Sequence, residues 1–233
     1  FVQWMGAEFT DEALLRSLVA TLAAVFREVR VYRPSSTTLL FMGSDAPIDP
    51  ERRPQSMRAT LDRSPLHYAR FGVNAPEDLV VALALDDAGA RRFAAGQLPI
   101  TDDDNRLATA NVYERRLGMD GEQVATLLTP FDPLALADSF IYREIAPQLS
   151  FEYMWRRAVL WAGGEKTTLE RMSRVADHLG DTDQSQLLRF MMAMHLKQPE
   201  TARLRLVEGL ARWPDSIMLQ YAAAEGRMSQ LTP

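Results

Sequence analysis

The 233-residue chain contains no cysteine, which excludes disulfides and thiolate metal sites. Such a chain fits a cytoplasmic compartment. No run of about 18 consecutive apolar residues occurs, so no bilayer-spanning helix is predicted. The longest apolar helical pattern, near Leu14 to Phe26, is interrupted by Arg16, Ser17 and Thr21. Charge of one sign does not dominate either. A formal net charge of -5 predicts no nucleic-acid-binding surface and gives no reason to expect an anionic membrane as partner. Catalytic signatures are scarce as well. There is no G-x-G-x-x-G after a strand, no G-x-S-x-G elbow, no phosphate loop and no H-E-x-x-H.

What is present suits a folded core: 47% hydrophobic and 24% charged residues, in a length that accommodates one large domain or two small ones. Phe1-Val2-Gln3-Trp4-Met5 reads as a strand. A strand needs partners, so neighbours are expected upstream of Phe1, and the chain is expected to be a piece of a larger protein. The alternative is a short edge strand. Thr10-Asp11-Glu12 signals a helix start, with Thr10 as cap, and Leu14, Leu15, Leu18, Leu22, Val25 and Phe26 continue at helical spacing to about Val29. Val29 to Tyr32 and Thr38 to Met42, separated by the turn residues Pro34-Ser35-Ser36, predict an antiparallel hairpin. Residues from about Pro54 to Ala95 read as helix in pieces, broken by Pro65, Gly72, Pro76 and Gly89. Beyond about Val112 the pattern is helical throughout. In the tail, Ser185 to Leu196, Thr201 to Trp213 and Ile217 to Met228 read as three helices, with Pro199 a break. Ala202, Gly209 and Pro214 at these separations fit a tetratricopeptide-like helix pair, in which small residues let helices approach and proline stops the second. An irregular helical bundle is the alternative.

Polar clusters are candidates for chemistry. Asp102, Asp103 and Asp104 bring together oxygen ligands of the kind a hard cation takes. Adjacent residues point apart, however, and the spacing of a calcium loop is absent, which favours a solvated turn. Asp177, His178, Asp181 and Asp183 suggest a metal or acid–base group, or else a helix end at Gly180 with His178 near the negative end of its dipole. His67 and His195 have no partner motif. Trp155, Trp161, Met191, Met192 and Met194 could line a peptide groove, although at helical spacing such residues usually form core.

The opening block, Phe1-Val2-Gln3-Trp4-Met5, Phe9-Thr10-Asp11-Glu12, Phe26 to Pro34 and Leu39 to Ile48, together with Leu98-Pro99-Ile100-Thr101-Asp102-Asp103-Asp104-Asn105-Arg106-Leu107, resembles the polyamine aminopropyltransferases. These are the spermidine-synthase-like branch of the S-adenosylmethionine-dependent Rossmann enzymes. The resemblance covers about residues 1 to 108. It implies an α/β fold over residues 1–110: a partial Rossmann-like sheet, parallel except for a closing antiparallel hairpin. The helical pattern beyond it predicts an all-α, tetratricopeptide-like tail over residues 111–233. It implies aminopropyl or related transfer, with S-adenosylmethionine or its decarboxylated form as donor for the parent protein. It also implies that the Gly-rich cofactor loop and the catalytic aspartate lie upstream, so that this chain alone is inactive and its missing partner is the first half of the domain. Only Gln3, and more weakly Glu8, fall where the family carries site residues. The Pro34-Ser35-Ser36-Thr37 turn departs from the family's tyrosine- and proline-rich stretch, which leaves polyamine specificity open. A protein partner for the helical tail and dimerisation through the Phe1 to Met5 edge are the other expected associations.

Overall fold

The apolar run at the start of the chain forms strand β1 (Val2–Gly6), and a 3-10 turn at Ala7–Phe9 leads into helix α1 (Glu12–Val25). The computed structural model describes residues 1–48, 50–103, 118–150 and 180–229. The cap of α1 is Asp11 and not Thr10: the Leu14 N–H donates to Asp11 Oδ1 at 2.8 Å. Thr10 is fully buried instead, its hydroxyl donating to the Asp11 carbonyl at 3.1 Å. The helix also stops at Val25, earlier than its periodicity suggests. Phe26 is already extended, and the next residues belong to β2 (Glu28–Tyr32), which turns back as β3 (Thr38–Ser44). Arg33 holds that turn: its guanidinium donates to the Ser36 carbonyl at 2.8 and 3.0 Å and to the Gly121 carbonyl at 3.0 Å.

The described strands make one sheet in the order β1-β3-β2-β4, where β4 is Leu83–Leu85. Every neighbouring pair is antiparallel. It follows that β1 and β2 run in the same direction, joined through α1, with β3 antiparallel between them. The fold is thus mixed: a four-stranded sheet with helices, followed by helices. The hairpin is where the sequence places it. The reading of residues 54–95 as helix alone is corrected at β4. Leu83-Ala84-Leu85 is a short apolar run that local pattern cannot tell from helix, and pairing with β2 (Val31↔Leu85, Tyr32↔Leu83) decides it. On either side helices form: α2 (Pro54–Arg63), α3 (Pro65–Ala69) and α4 (Pro76–Ala82) before β4, and α5 (Asp87–Ala94) after it; the break expected at Gly89 is absent, because Gly89 lies within the first turn of α5. Residues 98–103 form a loop, held to α1 by the Ile100 N–H, which donates to Thr21 Oγ1 at 2.7 Å.

Register sorts the side chains, because alternate residues of a strand face opposite ways. Met5, Leu39, Phe41, Val29, Val31 and Leu85 share one face. That face is the core, closed by Leu15, Val19 and Leu22 of α1, Phe93 of α5, and Val124 and Leu128 of α6 (Gly121–Leu128). Arg16 lies across it, its guanidinium 4.4 Å from the Phe93 ring centre. Phe26 packs over Gly43, where a Cβ would come within 2.4 Å of the ring, so β3 needs glycine there. The opposite face is divided. Glu28, Arg30 and Tyr32 of β2 give it a polar half, while Val2 and Trp4 of β1 are exposed beside the half-buried Leu40 and Met42.

The chain divides into two units, Phe1–Thr167 and Thr168–Pro233. In the second, the described helices are α7 (Asp183–His195), α8 (Pro199–Arg212) and α9 (Ile217–Ser229). Thr182 caps α7, accepting from the Ser185 N–H at 3.1 Å. The break between the first two helices falls at residues 196–198, and Pro199 opens α8, at a position whose N–H has no helical partner anyway. Ala202 and Gly209 are the buried residues of α8, so that small side chains face its neighbours. A Cβ on Gly209 would lie 2.8 Å from Gln186 Cγ and 3.1 Å from Leu219 Cδ1. Gly209→Leu is therefore expected to destabilise this unit by about 1–3 kcal/mol through overpacking. Ala211→Leu, on the exposed side, should stay within about 0.5 kcal/mol of the parent. Urea denaturation followed by far-ultraviolet circular dichroism measures both.

Candidate functional site

Among the described residues, those singled out in the sequence do not converge. Gln3 is exposed on β1, and its amide donates to the adjacent Trp4 carbonyl at 2.7 Å. Glu8 is exposed on the 3-10 turn. Asp102 and Asp103 are exposed in a loop, and Asp104 lies outside the described residues, as do Trp155, Trp161, Asp177 and His178. Asp181 pairs with Arg212, and Asp183 accepts from the Ser216 hydroxyl at 2.7 Å; both contacts stitch helices of the second unit. His67 sits edge-on to Tyr68 and Phe71. His195 is exposed in the last turn of α7. Met192 is core, Met191 is half-buried and Met194 is exposed. Among the described residues no group of three His, Asp or Glu side chains is placed to hold a metal ion.

The polar groups that do converge lie elsewhere in the first unit. An open cleft of about 440 Å³ is bounded by the start of β2, the turn into α5, Arg52, and residues 136–140. Four arginines line it: Arg27, Arg30, Arg52 and Arg92. Arg30 is buried, with its Nε 2.8 Å from Glu28 Oε1. The other Glu28 oxygen accepts from the Ile48 N–H at 2.8 Å. The Arg52 guanidinium lies 4.2 Å from the Phe140 ring centre. Asp87 takes the Val29 N–H on one oxygen and Arg91 Nε on the other, each at 3.0 Å. Asp86 caps α5 through the Gly89 N–H at 2.7 Å. The Ser139 hydroxyl, in the cleft wall, is buried without a hydrogen-bond partner. No sequence motif announces this site, because its arginines come from positions up to 65 residues apart. The only signal is that arginine recurs in Phe26-Arg27-Glu28-Val29-Arg30, Glu51-Arg52-Arg53 and Arg91-Arg92.

Two other buried polar groups have structural partners. Glu77 is fully buried; its Oε1 accepts from Arg58 Nη2 at 2.6 Å and from the Ser150 N–H at 2.7 Å, which ties α4 to α2 and to residue 150. Asp78 accepts from the Asn74 and Ala75 N–H groups at 2.6 and 3.1 Å and fixes the start of α4. Tyr32 continues the polar face of β2 beside Arg30. Burial raises its phenol pKa above the ordinary 10.0; Arg30 opposes the rise and Glu28 adds to it. No family model matches the chain, and no curated protein or solved structure is significantly similar to it.

The Tyr32 shift has a sign that can be checked. The unfolded phenol loses its proton first, so the stability this group contributes is complete below pH 10.0 and is lost as pH rises from there through the folded pKa. An ultraviolet absorbance titration of the native protein should show late ionisation among its six tyrosines. Tyr32→Phe should remove that late step and flatten the alkaline fall in stability.

Proposed function

We propose that the first unit is the closing part of a spermidine-synthase-like transferase domain, one that moves an aminopropyl or related group from an adenosyl sulfonium donor. The observation that carries this reading is the strand arrangement. β1 and β2 run parallel, joined through α1, and the antiparallel β3 returns between them. That is how a parallel sheet ends in an antiparallel hairpin, as the sequence resemblance implies. A second feature supports it. Val2 and Trp4 are each 59% exposed on the outer strand, whereas strands of parallel α/β sheets are covered on both faces. In this reading the adenosyl loop, the catalytic aspartate and the covering elements belong to sequence upstream of Phe1. The role of residues 1–44 is to complete the sheet. β4, which pairs antiparallel with β2, is a departure from the family pattern.

The consequence for binding is direct. A Rossmann-type donor sits at the carboxyl ends of the parallel strands, on loops that this chain does not supply. Calorimetric titration of the chain with methylthioadenosine or S-adenosylmethionine is expected to give no saturable heat, and a longer protein carrying the upstream sequence is expected to bind. Tight binding by the chain alone would overturn the reading, as would unrelated sequence in frame upstream of Phe1.

A second reading, a helical interaction module, is favoured by the exposed apolar side chains of α8 and α9: Leu204, Val207, Ile217 and Tyr221. It predicts partner capture that survives deletion of residues 1–110.

A further inference from the structure

The arginine-lined cleft of the first unit has the makings of an anion site, and the bookkeeping of its charges says which groups remain for a ligand. Of its four carboxylates, Glu28 and Asp87 each use both oxygens on protein donors, and Asp86 uses one on its helix cap. Asp138 is exposed and is the acid left over. Of the guanidiniums, Arg30 is paired with Glu28, and Arg52 lies over the Phe140 ring. Arg27 and Arg92 are exposed, and neither side chain has an ion pair or hydrogen bond among the described residues. Two planar five-donor forks therefore meet one cleft without a protein acceptor, which is the arrangement that recognises phosphate oxygens. Beside them Arg52 and the Phe140 ring, 4.2 Å apart, offer an apolar and cationic surface to a planar ring. The Ser139 hydroxyl in the wall is a buried donor with nothing to donate to. A cleft of about 440 Å³ falls in the usual range for small ligands.

Position separates this site from the transfer chemistry proposed above. Arg27 and Glu28 stand at the amino end of β2, the opposite end of the parallel pair from that at which a Rossmann-type donor binds. We infer that the cleft binds a phosphate-bearing small molecule of nucleoside-monophosphate size. Its phosphate lies between Arg27 and Arg92, and its base stacks on the Arg52–Phe140 surface. The inference does not depend on the transferase reading.

The test is calorimetric titration of the full chain with adenosine monophosphate, inorganic phosphate and adenosine. Saturable binding is expected for the monophosphate, weaker binding for phosphate, and the weakest for adenosine; added salt should loosen the first two. Arg27→Ala and Arg92→Ala should each weaken the monophosphate about tenfold or more, as loss of a charge-assisted hydrogen bond does. Both side chains are exposed, so the variants should keep the parent circular dichroism spectrum, and Arg27→Lys and Arg92→Lys, which keep charge but lose the fork, should fall between. Phe140→Ala should weaken the monophosphate and leave phosphate unchanged. Asp138→Asn should tighten both by removing a like charge. Absence of saturable binding for both phosphate-bearing probes at millimolar concentration would overturn the inference. So would monophosphate binding that is indifferent to Arg27 and Arg92, or that weakens in Asp138→Asn.

Discussion

The first unit depends on one constraint: β3 must lie between β1 and β2. It shares its backbone hydrogen bonds with both, so the last of these three strands in the sequence is the middle one in the sheet. Its Leu39 and Phe41 are fully buried and point into the layer closed by α1, α5 and α6. Removing a side chain like that of Phe41 costs about 3–5 kcal/mol in a typical core, a large part of a domain's net stability. The close approach of Phe26 to Gly43 and the grip of Arg33 on its turn serve the same end. One sets how near the end of α1 can come to β3, and the other sets where the hairpin reverses.

Inserting β3 leaves the two faces of the sheet unlike each other. The helix-covered face is apolar except at its outer edge, where Gln3 of β1 is exposed. The other face is polar over β2, where Glu28, Arg30 and Tyr32 follow one another, and apolar and open over β1, where Val2 and Trp4 meet solvent. The polar half is settled by its own partners: Glu28 satisfies Arg30 and the Ile48 amide together. The open half has no such cover among the described residues, and that asymmetry is what the transferase reading uses. The cleft draws on the polar half, where the start of β2 meets the turn into α5.

Much of this order is legible in the sequence, where local pattern and tertiary packing agree. The apolar spacing of α1 marks a helix, the turn residues between β2 and β3 mark a hairpin, and the tail reads as helices, and each of these elements forms. Legibility fails where a choice is made at a distance. Leu83-Ala84-Leu85 becomes a strand because β2 offers an edge, which no local signal records. Asp11 displaces Thr10 as cap because Thr10 is drawn into the interior. The sequence favours a solvated turn for the acidic cluster and gives His67 and His195 no partner motif, and Asp102 and Asp103 are indeed exposed in a loop, while the groups that converge are arginines scattered over three segments. A site assembled from positions remote in sequence leaves only composition as its trace.

The most direct test of the account is a disulfide trap of the strand order, and a chain without cysteine is a clean background for it. Trp4 and Leu40 face each other across β1 and β3. Directly opposed residues of an antiparallel pair stand about 4.5–5.5 Å apart at Cα, within disulfide reach. Trp4 and Tyr32 both align with Leu40 but are separated by the whole of β3, so their Cα atoms lie about two strand spacings apart, roughly 9–10 Å. The account predicts that Trp4→Cys with Leu40→Cys oxidises to a single intramolecular bridge, seen by mass shift and non-reducing electrophoresis, and that Trp4→Cys with Tyr32→Cys does not. Cross-linking of the second pair and not the first would mean that β1 lies directly against β2, and would contradict the fold and the function proposed from it.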